Sequence, residues 1–181
     1  MNATATKLSA GDSLPKLLFA SENESVYAII DGASVPDLLE KLAGAKEEYA
    51  CLYRGALEPD LAKVAPYLIK LRRDALLTDW ILSQGWGNHW GIFAVTPVGL
   101  EALRRHFRTF LRVRDHTGKI LYFRYYDPRV LRVYLPTCNR AEVKAVYGPV
   151  SRFIVEDERS DRALLFPFDP VKTRPLPEKP A

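Results

Sequence analysis

The sequence predicts one α/β domain, a mixed β-sheet flanked by helices with a small helical portion toward the C-terminus. Three observations lead there. Short apolar runs closed by turn residues, such as "VYAIIDGA" (Val26–Ala33), alternate with segments of helical periodicity. The first clear elements follow in strand–helix–strand order, a βαβ-like start. A chain of 181 residues that is 48% hydrophobic and 27% charged can bury one sizeable core.

Residues 1–25 are polar and irregular apart from "LPKLLFA" (Leu14–Ala20), and are expected to be a flexible lead-in to a domain spanning 26–168. Val26–Ala33 reads as a buried strand ending at the Asp31-Gly32 turn. Ser34 then stands where it can cap a helix through "VPDLLEKLAGA", with Pro36 in the first turn and Gly44 near the exit. Tyr49–Gly55 is a second short strand, Pro59–Val64 a short helix and Tyr67–Leu71 an extended piece. In "DALLTDWILSQG", Leu76, Leu77, Trp80 and Ile81 share a helical face that ends at Gly85. "WGNHWGIFAVT" gives a Gly-rich turn and a strand from Gly91 to Val95.

A helix is predicted from Pro97 to about Val113, with Leu100, Leu103, Phe107 and Leu111 on one stripe and Arg104, Arg108 and Arg112 on another. Thr117-Gly118 marks a turn between extended pieces at Phe110–Arg114 and Ile120–Tyr126. Alternation along the second piece would put Tyr122, Arg124 and Tyr126 on one face and Leu121, Phe123 and Tyr125 on the other. Pro128 opens a short helix to Tyr134, which Pro136 stops. Asn139 caps another, with Gly148 at its exit. "VSRFIVED" is the last strand, "RALLFPF" a last apolar anchor, and residues 169–181 a Pro-rich tail expected to be disordered.

Charge is distributed unevenly. Residues 1–100 hold 9 Lys/Arg against 12 Asp/Glu, residues 101–140 hold 10 against 3, and residues 141–181 balance at 7 and 7. A basic segment this local calls for an acidic partner or internal ion pairs. No apolar run approaches the ~20 residues that cross a bilayer, and the N-terminus lacks the basic start and apolar block of a secretory signal. A cytoplasmic location is the expectation, with Cys51 and Cys138 as small buried apolar residues and no metal or disulfide.

The sequence carries no GxSxG, GxxxxGK[ST], GxGxxG after a strand, or HExxH. His89, His106 and His116 lie in unrelated contexts without metal-ligand spacing. "GWGNHWG" (Gly85–Gly91) is the best pocket candidate, since glycines permit close backbone approach and Trp86 and Trp90 offer flat surfaces; an enzyme binding a small molecule there, with Asp127 and His89 or His106 lining one open pocket, is the alternative reading. The structural reading is a tight helix-to-strand turn whose tryptophans plug the core. For Arg104, Arg105, Arg108 and Arg112 three readings stand: a solvated helix face, a contact for an acidic protein, and phosphate contacts to nucleic acid. In "FRYYDPR", Asp127 is placed to cap the helix opened by Pro128, with Arg124 and Arg129 both close enough to pair with it. A carboxylate held by two arginines is a poor general base near neutral pH.

Taken in order, "YAIIDGA", "CLYRG", "VAPYLIKL", "GWGNHWGIF", "LEALRRHFRTFLRVRDHTGKILYFRYYDPRVLRVYLPT" and "VYGPVSRFIVED" resemble the type VI secretion effector chaperone (adaptor) domain across roughly Val26 to Asp157. The most specific pieces are the Trp-Gly pair within 86–91 and "FRYYDPRVL". The resemblance implies a bacterial, non-enzymatic cytoplasmic protein that binds a toxic effector and helps load it on the valine–glycine repeat (VgrG) spike or its tip protein. It implies no cofactor and no catalytic residue, no nucleic acid and no membrane among its partners. It makes Asp31, Trp86, Gly87, Trp90, Arg124, Asp127, Pro128 and Arg129 framework residues, and the basic helix with Arg104–Arg112 a possible contact for the cargo. Longer members carry a further C-terminal lobe where this chain ends soon after Phe168.

Overall fold

The computed structural model describes residues 5–9, 14–114 and 117–169. Seven strands form one sheet in the order β1 (Thr6–Ser9), β9 (Arg162–Pro167), β8 (Arg152–Glu156), β5 (Gly91–Thr96), β2 (Ser25–Asp31), β4 (Pro66–Leu71) and β3 (Tyr49–Cys51). Every pairing in it is antiparallel. A separate two-stranded ribbon joins β6 (Arg112–Arg114) to β7 (Ile120–Tyr122). Seven α-helices are described: α1 (Leu14–Leu18), α2 (Leu38–Ala43), α3 (Pro59–Val64), α4 (Leu76–Trp80), α5 (Leu100–Phe107), α6 (Pro128–Tyr134) and α7 (Arg140–Tyr147).

The α/β class is as expected, but the opening unit is not a simple βαβ. The strand β4 stands between β2 and β3, so β2 and β3 point the same way without being neighbours. The cause of the misreading lies in β2. Its Tyr27 and Ile29 face one core with α5, α6 and α7, while Val26, Ala28 and Ile30 face another with α1, α2 and α4. Buried on both faces, an antiparallel strand loses its polar alternation and reads like a strand of a parallel sheet.

Residues 1–25 were expected to be flexible, yet β1 pairs with β9 at the sheet edge and α1 buries Leu14 and Leu18 under the sheet. "RALLFPF" is not just an anchor but the strand β9. Ser34 is not a helix cap. Asp31 caps the 3₁₀ turn Gly32–Ser34 instead, and Ser34 donates to it. After α4 the chain continues as a π-helical turn, Ile81–Gly85.

The long helix expected up to Val113 is cut to α5, although Leu103, Phe107 and Leu111 still bury as one stripe. The strand expected over Ile120–Tyr126 stops at Tyr122: Phe123 N still donates to Leu111 O in the ribbon's register, and the chain then turns, with Asp127 N donating to Arg124 O. Tyr125 and Tyr126 are therefore both buried, in place of the alternation. In contrast α3, α6 and α7 have the bounds their Pro, Asp, Asn and Gly signals predict. Asn139 and Glu142 close a capping box at α7. The predicted Pro-rich tail, beyond Asp169, lies outside the described residues.

Candidate functional site

Asp127 sits at the N-cap of α6 with Pro128 buried at the first helical position. It accepts from the Arg129 backbone N–H (2.9 Å) and from Arg129 Nε (3.0 Å) and Nη2 (2.7 Å). The second expected partner goes elsewhere. Arg124 pairs through Nη2 with Asp31 Oδ2, at the end of β2. Asp127 N donates to Arg124 O (3.0 Å), and this turn removes Arg124 from the strand face where alternation had placed it. Both carboxylates are buried while both guanidiniums stay about half exposed, so the arginines reach in from solvent. Burial pushes the Asp127 carboxyl up. Its hydrogen bonds from Arg129 and the charges of Arg129 and Arg124 outweigh this and hold it below the ordinary carboxylate range.

The "GWGNHWG" turn meets this corner from the neighbouring strand. Asp31 N donates to Trp90 O (2.8 Å). Trp90 packs against Trp80, and Trp86 stacks on Phe93. Trp86 Nε1 donates to Ser160 O (2.6 Å). The decisive group is one the sequence reading missed, Glu156, a buried carboxylate at the end of β8. It accepts from Gly87 N (2.6 Å) and meets His89 Nδ1. Gly87 and His89 both hold left-handed backbone conformations, φ 86° and 58°, a cost that these two contacts offset for the non-glycine residue. The signal for Glu156 was available: a carboxylate inside the apolar strand "RFIVE" must find a donor.

Beside Trp86, Trp90 and Glu156 the turn encloses about 10 Å³, room for about one water molecule. Asp127, His89 and His106 do not line this cavity. His106 packs against Phe107 and Phe110, with Nε2 on Val146 O (2.9 Å). His116 lies outside the described residues. Among the described residues no group of His, Cys, Asp and Glu is arranged to hold a metal, both cysteines are free thiols, and no helix is long and apolar enough to cross a membrane.

The two histidines carry a pH signature. Burial, followed by the charges of Arg129 and Arg132, lowers the pKa of His89 from 6.5. Burial likewise lowers that of His106, against the opposing bond to Val146 O. His89 meets the Glu156 carboxylate, which favours its charged form, so the signature rests on His106: its folded form binds fewer protons below pH 6.5, and its contribution to stability falls as pH drops through that value and stays level above it. The urea midpoint should be constant from about pH 7 to 8 and decline between about 6.5 and 5. A midpoint that does not change across that interval would contradict a neutral, half-buried His106 imidazole.

The arginine stripe divides in two. Arg104 Nε donates to Cys51 O (3.2 Å). Arg108 donates to Leu52 O (3.0 Å), Cys51 O (3.0 Å) and Tyr53 O (2.7 Å). These two brace the loop after β3, whereas Arg105 on α5 and Arg112 on β6 are exposed. The same loop, α3, the end of α5 and the ribbon surround an open groove of about 740 Å³. Leu52, Leu57, Leu61, Leu111 and Ile120 supply its apolar lining, and Arg54, Arg108, Arg112 and Arg114 its charge. None of the described residues lining it is a carboxylate, a histidine or a cysteine. Sequence reading could not find it, since its walls come from segments some fifty residues apart.

Residues 26–145 match the family described as a domain of unknown function, DUF4123. The chain belongs to this family. The match covers β2 through most of α7, and so both the Asp31–Arg124 and the Asp127–Arg129 pairs, the Trp-Gly turn and the whole groove. The DUF4123 match ends before β8 and β9, although Glu156 of β8 holds the Trp-Gly turn in place. No curated protein and no solved structure matches the chain.

Proposed function

We propose that this DUF4123 chain is an effector-specific adaptor, which binds a toxin of a type VI secretion system and helps load it on the VgrG spike through protein–protein contacts. The observation that carries this reading is the groove. It is a large concavity, apolar and cationic, and the described residues lining it include none of the carboxylates, histidines or thiols that acid–base or nucleophilic chemistry would use. Around it Leu61, Val113, Ile120, Leu121 and Tyr122 remain 38–69% exposed. Clustered exposed apolar surface of this kind marks a protein contact. The titratable groups of the alternative enzyme reading each have a protein partner: Asp127 has Arg129, His89 has Glu156 and His106 has Val146 O. The adaptor works in the cytoplasm before secretion, masking an apolar effector segment and needing no cofactor.

Co-expression of the tagged chain with the products of its neighbouring genes tests the reading. One effector or spike protein should co-elute with it in size-exclusion chromatography, and the effector's soluble fraction should fall when the chain is omitted. Failure to retain any secretion component would remove the proposal.

A further inference from the structure

We propose that the groove beside the β6–β7 ribbon takes an acidic, apolar segment of a partner protein. Within the adaptor reading, on which the choice of a protein partner rests, this names the chemistry of the bound segment and where it lies. The ribbon is the first argument. It consists of two three-residue strands apart from the main sheet, and all six residues are exposed. A lone two-stranded hairpin is marginal in water, and this one presents Val113, Ile120, Leu121 and Tyr122 to solvent. Apolar side chains on so slight an element gain most from a partner laid against them.

Register supplies the second argument. Arg112 faces Tyr122 and Arg114 faces Ile120 across the ribbon, so one face carries two guanidiniums and two apolar groups, and all four line the groove. The opposite wall repeats the combination with Leu57, Leu61 and Arg54. A segment that satisfies both walls alternates apolar residues with carboxylates, its apolar side chains on the leucines and its carboxylates on the arginines.

Charge decides among occupants. No carboxylate among the described residues lining the groove neutralises its arginines. The chain's own residues 170–181 carry Lys172, Arg174 and Lys179 against Glu178, the same sign as the groove. A second copy offering this same face would set arginine against arginine. Nucleic acid would meet the arginines and could stack on Tyr53 and Tyr122, but it would leave Leu52, Leu57, Leu61 and Leu111 without a counterpart. An acidic, apolar protein segment uses both features.

Fluorescence anisotropy tests this with three labelled probes and the full chain. One peptide of about sixteen residues repeats Glu-Leu-Asp-Val, a second repeats Lys-Leu-Arg-Val, and the third probe is oligothymidine. The acidic peptide should bind and the basic one should not. Arg54→Glu and Arg112→Glu, exposed residues on opposite walls, should each weaken binding by about tenfold or more. Leu61→Ser should weaken it as well, and Lys144→Glu on α7, an exposed residue that does not line the groove, should not. Thermal melts of each variant establish that it is folded. Equal binding of the two peptides overturns the proposal, as do parent-like affinities in all three groove variants or groove-dependent binding of oligothymidine in preference to the acidic peptide. If an effector co-purifies equally with Arg112→Glu and with the parent, the adaptor reading survives and the groove assignment fails. If no secretion component co-purifies while the acidic peptide binds in a groove-dependent way, the reverse holds.

Discussion

Gly91→Ala should lower the unfolding free energy by about 3 kcal/mol, at the upper end of what an overpacked site costs. Gly91 opens β5 opposite Ile30 of β2. A Cβ there would lie 2.0 Å from Ile29 O, 2.9 Å from Ile29 C and 3.0 Å from Ile30 Cα. All three are backbone atoms of the interior strand β2, which β4 and β5 hold from both sides. No side-chain rotation can relieve the overlap, so the strands themselves must part. The next hydrogen bond along, from Asp31 N to Trp90 O, would be strained first, and Asp31 carries the Arg124 pair. Gly44→Ala is the control. Its φ of −84° suits alanine, and its new Cβ would meet nothing closer than 3.6 Å. Urea unfolding of both variants checks the expectation, and a Gly91→Ala curve within about 0.5 kcal/mol of the parent would refute so close an approach.

The role of that glycine shows where the sequence was legible. Glycines in "GWGNHWG" were read as permitting close backbone approach, and at Gly91 the approaching group is strand β2, whereas Gly85 faces the Trp90 ring and Gly87 faces Ser160. Local signals translated directly. Pro59, Pro128, Asp127, Asn139 and Gly148 each act within one turn of their own position, so α3, α6 and α7 emerged with their correct ends. The apolar runs of β2, β4 and β5 were equally plain. Pairing was not, because period and composition are the same for any strand buried on both faces. The corner illustrates the same limit at the scale of side chains. Asp31, Arg124, Asp127 and Arg129 do gather at one end of the sheet, but Arg124 chooses Asp31, 93 positions away, over Asp127, three away. Only the turn after Tyr122 decides that, and nothing local in "FRYYD" encodes it. The edge strand β1, "TKLS", is polar and short as edges tend to be, which hid it among loop residues.

Asp127→Ala should cost about 1–3 kcal/mol, through loss of the N-cap and of the acceptor for Arg129. The ion pair itself contributes the smaller share, because the Arg129 side chain is 52% exposed and water replaces its partner. Asp127→Asn retains an oxygen for the Arg129 N–H and should recover about half of the loss. The sign of the pH dependence separates charge from cap. The pKa of Asp127 is lowered from 3.8 in the folded chain, so its charge contributes stability above that value and loses it as pH falls. The gap between parent and Asp127→Asn should therefore narrow below about pH 4, whereas the cap deficit of Asp127→Ala over Asp127→Asn should persist. Binding provides the last discrimination. If the corner only braces the fold, Asp127→Ala should bind the acidic peptide with parent affinity wherever it is folded, since Asp127 does not line the groove. A variant that melts like the parent yet loses its partner would make the corner, rather than the groove, the surface that partners recognise.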